Sequence, residues 1–377
     1  MKSMTGRERM LATLRGEAAD RVPATIHQWQ GYHLREFMKV DDEIDAFRAV
    51  GLDAVVYAWN CFVPDKSPDW RKTERVSDRG DGTSLVEIRV ETPGGALTGK
   101  AIRTPYTSTY TEHLFKKPED IFLYEAYGPV SVYDPEALKA RKRRLGDLGI
   151  FRTCTNGPQG SPWQDACAMY GTEHMIYRSF DDPEWTHRAM KILLKKKLDF
   201  YELNIGANRG MFEMVETGGG AGSNTVISPS MFKEFCLPYD IEQHRAIHAM
   251  DPDIIISYHT CGGMMKLLDL IPANGCDCSE TLSPVGCGGD IRDGLDERTI
   301  VESLGSKVLL MGGLNQIQVL TDGTPEAIRA EVRRCFEGYG VDRRGKKSGY
   351  IMMCSDHFFH TPVENLLAYA QAVQELG

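Results

Sequence analysis

The sequence lacks any long run of apolar residues, and no stretch approaches the roughly 20 residues that a membrane-spanning helix needs. The amino terminus, MKSMTGRERMLATLRGE, also lacks the apolar segment of a secretory signal, because charged residues interrupt it throughout. We therefore expect a cytoplasmic protein with no membrane partner. Its ten cysteines are then expected to be reduced thiols, which excludes a disulfide framework and leaves each cysteine as a core residue or a ligand.

The sequence also lacks an excess of positive charge, since 44 Lys and Arg stand against 53 Asp and Glu, for a net charge of -9. An acidic surface does not attract nucleic acid or anionic lipid, so neither class of partner is expected. Two basic runs, KARKRR at 139–144 and KKK at 195–197, lie in sequence of helical character. We interpret both runs as solvated helix faces.

No internal repeat, low-complexity tract or linker divides the 377 residues, so we treat 1–377 as a single domain. Short β-branched runs alternate with helical stretches, which is the pattern of parallel βα units. The eight predicted strands are VPATIH (22–27), DAVVYAW (53–59), IFRTCTN (150–156), MFEMVE (211–216), IIISYH (254–259), CDCSE (276–280), VLLMGG (308–313) and YIMMC (350–354). Eight such units predict an α/β fold of the (β/α)8 TIM-barrel type.

One segment departs from this alternation of strand and helix. Residues 83–104, TSLVEIRVETPGGALTGKAIRT, alternate apolar and polar side chains on either side of Pro93-Gly94-Gly95. This pattern predicts an antiparallel hairpin inserted after the second strand. We expect the insert to cover the mouth of the barrel, meaning the carboxyl ends of its strands.

A histidine and two cysteines fall at the predicted strand ends. His259 ends the fifth strand, Cys261 follows it, and Cys354 ends the eighth strand. Active sites of TIM barrels are built at the carboxyl ends of the strands, so the three side chains are expected to converge. One imidazole and two thiolates form a set that zinc accepts, and three protein ligands leave the fourth position open for catalysis.

Two other interpretations of these residues stay open. A buried histidine or cysteine is more often a core residue than a ligand, and only the placement at two strand ends favours a metal site. Cys276, Cys278 and Cys287 form a rival cluster, in which strand alternation predicts that the first two face the same side. Four further cysteines lie at apolar positions and are interpreted as core, namely Cys154, Cys167, Cys236 and Cys335.

Six stretches carry a resemblance to a known family. They are MTGRERMLATLRGEAADRVP at 4–23, GSPW at 160–163, ISPSMFKEFCLPY at 227–239, HTCGG at 259–263, LLMGGLN at 309–315 and TPVENL at 361–366. Together they resemble the uroporphyrinogen decarboxylase superfamily, a superfamily of TIM barrels. One branch decarboxylates uroporphyrinogen without a metal. The other comprises zinc-dependent methyltransferases that exchange methyl groups between corrinoid proteins and substrates such as thiols, including methylcobamide:coenzyme M methyltransferases.

The motifs favour the methyltransferase branch. Decarboxylases carry an arginine-rich RQAGR stretch after the first strand, whereas this chain has HQWQGY at 27–32. The decarboxylase aspartate near the end of the second strand is replaced around Trp59-Asn60, and the tyrosine expected after PW is Ala168. The H-x-C motif with a distant C-terminal cysteine, typical of the methyltransferases, is complete. The resemblance therefore implies a corrinoid-linked zinc methyltransferase with His259, Cys261 and Cys354 as ligands.

The resemblance also suggests further site residues. Relatives carry an acidic pair where this chain has ETGGGAGSNT at 216–225, so their carboxylate role would fall to Glu216. The GGGAG run lacks the lysine of a phosphate-binding loop and is interpreted as a tight turn that makes room for a ligand. From their places near strand ends we select the remaining candidates. The predicted catalytic residues are His27, Asn60 and Glu216, and the predicted substrate-binding residues are Trp163, Asp356 and His357.

Each of these selections has a structural alternative. Trp163 follows Pro162 and would equally pack the helix that begins there, and His27 would equally form a hydrogen bond within its loop. Asp356 and His357 follow Cys354 closely enough to orient it or another ligand rather than to contact substrate.

The chemistry implied by the metal concerns a thiol. Coordination to zinc stabilises a substrate thiolate, which then attacks the methyl group of methylcobalamin; in the reverse direction zinc acts as a Lewis acid on a methylated heteroatom. No D-x-H-x-x-G corrinoid-binding motif occurs in the chain. We therefore expect the corrinoid to arrive on a partner protein, docked over the mouth, or as the free cofactor.

Two other functions stay open at this stage. A lyase with decarboxylase-like chemistry on a non-porphyrin carboxylate would need cationic residues at the mouth, for which Arg152 and Arg209 are the candidates. A non-catalytic binding protein would hold a structural zinc through four protein ligands, with Glu216 as the fourth.

Overall fold

A computed structural model describes residues 3–64, 67–154, 160–340 and 349–377. The strands within these ranges are β1 Ala54–Tyr57, β2 Arg71–Asp78, β3 Ser84–Thr92, β4 Gly95–Arg103, β5 Ser108–Glu112, β6 Gly149–Thr153, β7 Met214–Gly218, β8 Ile255–His259, β9 Cys278–Thr281, β10 Leu309–Leu314 and β11 Tyr350–Cys354. The α-helices are α1 Gly6–Leu14, α2 Gly31–His33, α3 Glu43–Val50, α4 Asp120–Tyr127, α5 Pro135–Leu145, α6 Pro162–Tyr170, α7 Thr172–Asp181, α8 Pro183–Asn204, α9 Pro229–Met231, α10 Leu237–Met250, α11 Glu297–Leu304, α12 Pro325–Gly338 and α13 Val363–Leu376. Five-residue and six-residue π-helical turns occur at Leu34–Met38, Phe232–Cys236 and Gln316–Thr321.

Seven of the strands form a parallel sheet in the order β1-β6-β7-β8-β9-β10-β11. The sheet is curled, since the backbone of Ala24 and Thr25 forms hydrogen bonds with residues at both of its edges. The Asp53 N–H donates to the Ala24 carbonyl at 2.9 Å, and the Thr25 N–H donates to the Met352 carbonyl at 2.9 Å. This is an α/β fold of the kind that the alternation of strands and helices predicts, and it resembles a TIM barrel.

The predicted first strand, 22–27, is wrong as a strand. The segment makes an isolated bridge between Ala24 and Met352 instead. Pro23 has no N–H to donate, and the Ala24 N–H donates to the Asp53 carboxylate at 3.0 Å rather than to a neighbouring backbone. Of the predicted strand 150–156, residues 155 and 156 lie outside the described residues.

The strand predicted at 350–354 occurs with the predicted bounds, and the other six predicted strands of the parallel sheet occur with shifted ends. The largest shift moves the strand predicted at 211–216 to Met214–Gly218. The strand predicted at 276–280 begins only at Cys278, so strand alternation does not extend to Cys276. Cys278 faces the barrel interior and Cys276 packs in the outer core, which corrects the expectation that both face the same side.

The interior of the barrel is filled by one or two side chains from each of several strands. Alternate residues of a strand point to opposite faces, so a single parity along each strand points inward. The inward-facing apolar residues are Val55, Ile150, Met214, Cys278, Met311, Ile351 and Met353, and Met10 and Leu14 of α1 pack against them. The larger cluster lies between the sheet and the surrounding helices.

A second, antiparallel sheet lies in the chain between β1 and β6. Its order is β2-β3-β4-β5, and residues 83–104 contribute the β3–β4 pair. Val86, Ile88 and Ala101 form its small buried cluster, whereas every residue of β2 is exposed. The turn after β4 places the ring centroid of Tyr106 5.5 Å from that of Tyr32.

The two basic runs are less solvated than their charge predicts. Lys197, on α8, is buried and pairs with Asp165 at 2.7 Å. Arg141, on α5, pairs with Asp42 and Glu43 and is only 9% exposed. The expectation of solvated faces is therefore wrong at these two positions, because each basic side chain meets an acidic one across a helix interface. No helix among the described residues is both long and apolar enough to cross a bilayer.

Candidate metal centre at the barrel mouth

His259 is the last residue of β8, where Gly218 of β7 and Glu280 in β9 are its register partners. Strand alternation decides its direction. Ile256 and Tyr258 pack in the outer core, so His259 has the inward parity, and its side chain is 0% exposed. The imidazole therefore lies inside the barrel at its mouth.

One ring nitrogen of His259 has a hydrogen-bond partner, and the other has none among the described residues. The Nδ1 atom lies 2.9 Å from Oε1 of Glu280, and Nε2 is buried with no hydrogen-bond partner among the residues that the structure describes. Burial opposes protonation of the ring, but Cys261 and Glu280 outweigh it and raise the pKa of His259 well above its usual value. The donor atoms of His259, Cys261 and Asp356 all lie within 4.8 Å of one another.

Two carboxylates and a guanidinium lie beneath His259. Arg152 Nη2 is 2.5 Å from Oε2 of Glu280 and 3.1 Å from Oε2 of Glu216. Tyr57 donates its hydroxyl hydrogen bond to Glu216, and Ser257 donates to Glu280. Burial disfavours the ionised form of Glu280, but Arg152 and the imidazole hydrogen bond outweigh it and hold the pKa of Glu280 well below its usual range.

The glycine run after Glu216 packs against the loop that carries Cys261. The Gly219 N–H donates to the His259 carbonyl at 2.8 Å. A Cβ atom built on Gly220 would lie 2.8 Å from Cys261 Sγ, closer than carbon and sulfur atoms approach in proteins. The run is a tight turn, and the room that it leaves at Gly220 is taken by the Cys261 side chain.

On the predicted ligation of zinc by His259 and Cys261, Gly220→Ala is expected to weaken zinc binding by about 10-fold, the lower end of what supporting groups around a metal contribute. The added methyl would push the Cys261 thiol aside, whereas the backbone at Gly220 needs no positive φ and the fold should persist. Competition with a chromogenic zinc chelator measures the change. Gly222→Ala is the matched control, because its Cβ would meet only ordinary contacts at 3.8 Å or more. Equal affinities of the two variants would contradict this role of Gly220.

Cys354, the third predicted ligand, is not in the group formed by His259, Cys261 and Asp356. Ile351 and Met353 face the barrel interior, so Cys354 has the outward parity. Its sulfur accepts the His27 N–H at 3.2 Å, and burial raises the pKa of the thiol to about 12. Ligation by Cys354 stays a prediction, and it needs a rearrangement of the end of β11.

Three other predicted residues lie at the mouth. The ring centroid of His27 is 4.8 Å from that of His259 and 5.4 Å from that of His357. His27, Asp356 and His357 have donor atoms within 4.8 Å of one another, and both Asp356 and His357 are partly exposed. The structure thus brings these three residues together beside the candidate metal ligands.

Two predicted residues, Trp163 and Asn60, have surroundings other than these donor groups. Trp163 is 1% exposed, donates its Nε1 hydrogen bond to the Ala221 carbonyl at 3.0 Å, and stacks on Phe235. It packs beneath the glycine turn. Asn60 lies exposed in the short 3-10 turn Trp59–Cys61 after β1. Substrate contacts by Trp163 and catalysis by Asn60 stay predictions.

Sequence reasoning missed Glu280, Tyr57 and Ser257, and it considered Arg152 only as a cation for the lyase alternative. A signal for Glu280 was present, since an acidic residue at the carboxyl end of a buried strand must find a partner inside the barrel. Arg152 has the same signal, because it lies in a strand whose neighbours are Phe151 and Ile150. Which groups these charges meet depends on the register between strands, and that is a property of the folded sheet.

Comparisons with known proteins agree with this architecture. The family model for uroporphyrinogen decarboxylase (URO-D) matches residues 109–376. A methylated-thiol--coenzyme M methyltransferase from Methanosarcina mazei is 26% identical over 280 residues, which cover 74% of this chain but only 65% of that protein. A uroporphyrinogen decarboxylase from Dictyostelium discoideum is 22% identical over 378 residues, which cover 97% and 93% of the two chains. The solved structure of a methyltransferase from Methanosarcina mazei superposes with a TM-score of 0.64 over 99% of both chains at 15% identity, so the fold is shared.

Proposed function

Because this chain belongs to the uroporphyrinogen decarboxylase family, we propose that it is a zinc-dependent methyltransferase of that family, moving a methyl group between a corrinoid and a small thiol or methylated compound. The proposal rests on the unpaired Nε2 atom of His259. Glu280 lies within hydrogen-bond distance of Nδ1 of this ring, and Nε2 is buried near Cys261 without a hydrogen-bond partner among the described residues. A buried polar atom left unpaired costs free energy, and a metal ion would satisfy it.

His259 and Cys261 fit zinc by donor type, since zinc accepts imidazole nitrogen and thiolate sulfur together. When bound, zinc would stabilise the substrate thiolate and hold it in place. Glu280 accepts the Nδ1 hydrogen of His259, so loss of the second ring proton on metal binding would leave the lone pair on Nε2. Glu216 uses Oε2 for Tyr57 and Arg152, and we assign its Oε1 to accept the proton that the substrate thiol loses.

The third zinc ligand comes from residues 354–356 on this proposal. Asp356 already lies within 4.8 Å of His259 and Cys261, whereas Cys354 is the choice that the family motif implies. Zinc content of Cys354→Ala and Asp356→Asn, purified in the same way, distinguishes the two. We expect that the variant lacking the true ligand binds zinc at least about 10-fold more weakly, since even supporting groups contribute that much. Unchanged zinc affinity in both variants would contradict a ligand from this segment.

The proposal of a corrinoid and a thiol as reactants rests on similarity to another protein rather than on a contact in the site. The similar Methanosarcina mazei protein is named for a methylated thiol and coenzyme M. We propose that the corrinoid reaches the mouth on a partner protein or as the free cofactor. On this proposal the chain is a single barrel built on the seven-stranded parallel sheet and closed by the isolated bridge at Ala24, with the antiparallel sheet as an insert beside the mouth.

The lyase alternative is less favoured, because the candidate cations are not available to a substrate carboxylate. Arg152 is already paired with Glu216 and Glu280. Arg209 is exposed before the start of β7, at the end of the barrel opposite the mouth.

Elemental analysis combined with corrinoid spectroscopy tests the proposal. The purified protein should contain zinc, and mixing it with methylcobalamin and a candidate thiol should change the corrinoid spectrum in a thiol-dependent way. Chelation of the metal should stop the change, and added zinc should restore it. Protein free of zinc, with a thiol-independent or unchanged spectrum across a panel of small thiols, would refute the proposal. Release of carbon dioxide from a non-porphyrin carboxylate would support the lyase instead.

A further inference from the structure

Two groups of donor atoms at the mouth share one carboxylate. The first group is His259, Cys261 and Asp356, and the second is His27, Asp356 and His357; within each group all donor atoms lie within 4.8 Å of one another. Cys261 and His357 do not occur together in any such group among the described residues, so one ion does not reach all five. We propose that His27, Asp356 and His357 hold a second divalent metal ion, beside the zinc ion of the proposed function on which this inference rests, with Asp356 bridging the two.

Two of the three imidazoles have a side chain within hydrogen-bond distance of Nδ1. Oε1 of Glu280 is 2.9 Å from Nδ1 of His259. The amide nitrogen Nε2 of Gln30 lies 2.6 Å from Nδ1 of His357, and turning the amide over places its oxygen there to accept an Nδ1 hydrogen. Nδ1 of His27 is 3.4 Å from Glu280 and is buried without a hydrogen-bond partner among the described residues. A metal ion would satisfy this unpaired nitrogen, and the groups that hold the other two rings match the supporting shell of protein metal sites.

The loop that supplies Asp356 and His357 is also held in place. Gln316 accepts the Asp356 N–H with its oxygen at 2.7 Å and donates from its nitrogen to the His357 carbonyl at 2.8 Å. Oδ1 of Asp356 accepts the His357 N–H at 2.7 Å, which leaves Oδ2 for a ligand. A loop fixed at both peptide groups presents its donors at reproducible positions, as a metal site requires.

The charge of the mouth is suited to bound cations. Carboxylates are in excess there, since Glu216, Glu280 and Asp356 face the single guanidinium of Arg152, which pairs with the first two. Charge of one sign is costly to bury unless it is paired, so divalent ions would be stabilised at this mouth. His27, Glu216, His259 and Glu280 also lie within 4.8 Å of one another, but Arg152 already occupies both carboxylates of that group.

Two imidazoles and one carboxylate leave coordination positions open and suit divalent zinc, cobalt, manganese or iron. In paired sites the two ions lie about 3.5–4 Å apart and bind neighbouring atoms of one substrate. The thiolate-bearing first site would take the sulfur. The second site has nitrogen and oxygen donors only, and it would take an oxygen of the same molecule. The substrate class that this geometry points to is a thiol or thioether that also carries a hydroxyl or carboxylate group.

Cobalt(II) distinguishes the two sites, because only a cobalt ion bound by a thiolate gives an intense sulfur-to-cobalt charge-transfer band in the near ultraviolet. The full chain is stripped of metal, titrated with Co²⁺ and desalted. We expect two ions per chain in the native protein. His357→Ala should bind one ion and keep the charge-transfer band, whereas the double variant Cys261→Ala with Cys354→Ala should keep one ion and lose the band. His360→Ala is the matched control, since His360 is an exposed imidazole in the same loop and outside all these groups; it should keep two ions.

One ion per chain in the native protein, or two ions in His357→Ala, would overturn the second site. Failure of the proposed function has a different signature, namely no charge-transfer band in the native protein. The two results are therefore separable. His357 is 34% exposed, so its replacement is not expected to unfold the chain, and circular dichroism of each variant verifies this.

Discussion

Arg152→Met is expected to lower the free energy of unfolding by about 3–5 kcal/mol, which is the cost of breaking a buried ion pair from one side. Arg152 is 0% exposed and lies against Glu280, which is also 0% exposed, and Glu216, which is 7% exposed. Methionine fills much of the volume but leaves both carboxylates without a counter-charge. Such a loss is a large part of the 5–15 kcal/mol that holds a typical domain folded.

Urea unfolding in the presence of a chelator measures this effect without the stabilisation that a bound metal would add. Arg209→Met is the matched control, because Arg209 is exposed and its replacement should change stability by less than about 0.5 kcal/mol. Adding Glu216→Gln and Glu280→Gln to Arg152→Met should recover part of the loss. If Arg152→Met unfolds at the same urea concentration as the native protein, the guanidinium does not balance these carboxylates.

His259→Ala is expected to abolish zinc binding at the first site and to slow thiol-dependent demethylation of methylcobalamin by more than about 100-fold. That factor exceeds the roughly 10–100-fold that supporting groups contribute, because His259 supplies a ligand atom itself. Glu280→Gln should fall within the smaller range, since an amide oxygen still accepts the Nδ1 hydrogen. Comparing zinc binding and demethylation rate in the two variants therefore separates the loss of a ligand from the loss of the group that orients it.

Zinc content and the corrinoid spectrum, measured on the same preparations, test the prediction for His259→Ala. His244→Ala controls for the loss of a buried imidazole. His244 contacts Thr217 and the Asn274 carbonyl behind the sheet, and burial lowers its pKa to about 4, so that it is neutral. This control should retain its zinc. Native zinc content in His259→Ala would exclude His259 as a ligand and remove the observation on which the proposed function depends.

The antiparallel sheet and the barrel show which strands local sequence patterns predict and which they do not. Alternation in 83–104 predicted paired strands because side chains of a half-buried strand must alternate whatever the rest of the fold is. It did not reveal β2, whose residues are all exposed and therefore carry no apolar alternation. Likewise, alternation in CDCSE predicted Cys276 and Cys278 as one strand, although only the second lies within it.

The sequence by itself determined that His259 and Cys261 lie at the mouth. Parallel strands end at the same edge of a sheet, and both residues follow a strand that is apolar enough to be recognised. Direction was also contained in the sequence for Cys354, because Ile351 and Met353 share the inward parity and Cys354 has the opposite one. The prediction of Cys354 as a ligand used only its position at a strand end and not this parity.

Only the tertiary structure decided which groups surround the candidate ligands. Glu280 meets His259 because β8 and β9 pair in one particular register, and Arg152 reaches Glu280 from a strand more than one hundred residues earlier in the chain. Asp356 comes beside His259 because Gln316 holds the loop after β11. Register between strands and the path of a loop follow from how the whole sheet closes and packs. Local patterns of apolar and polar residues therefore predict where the strands end, whereas the partners of each side chain are set by contacts between distant parts of the chain.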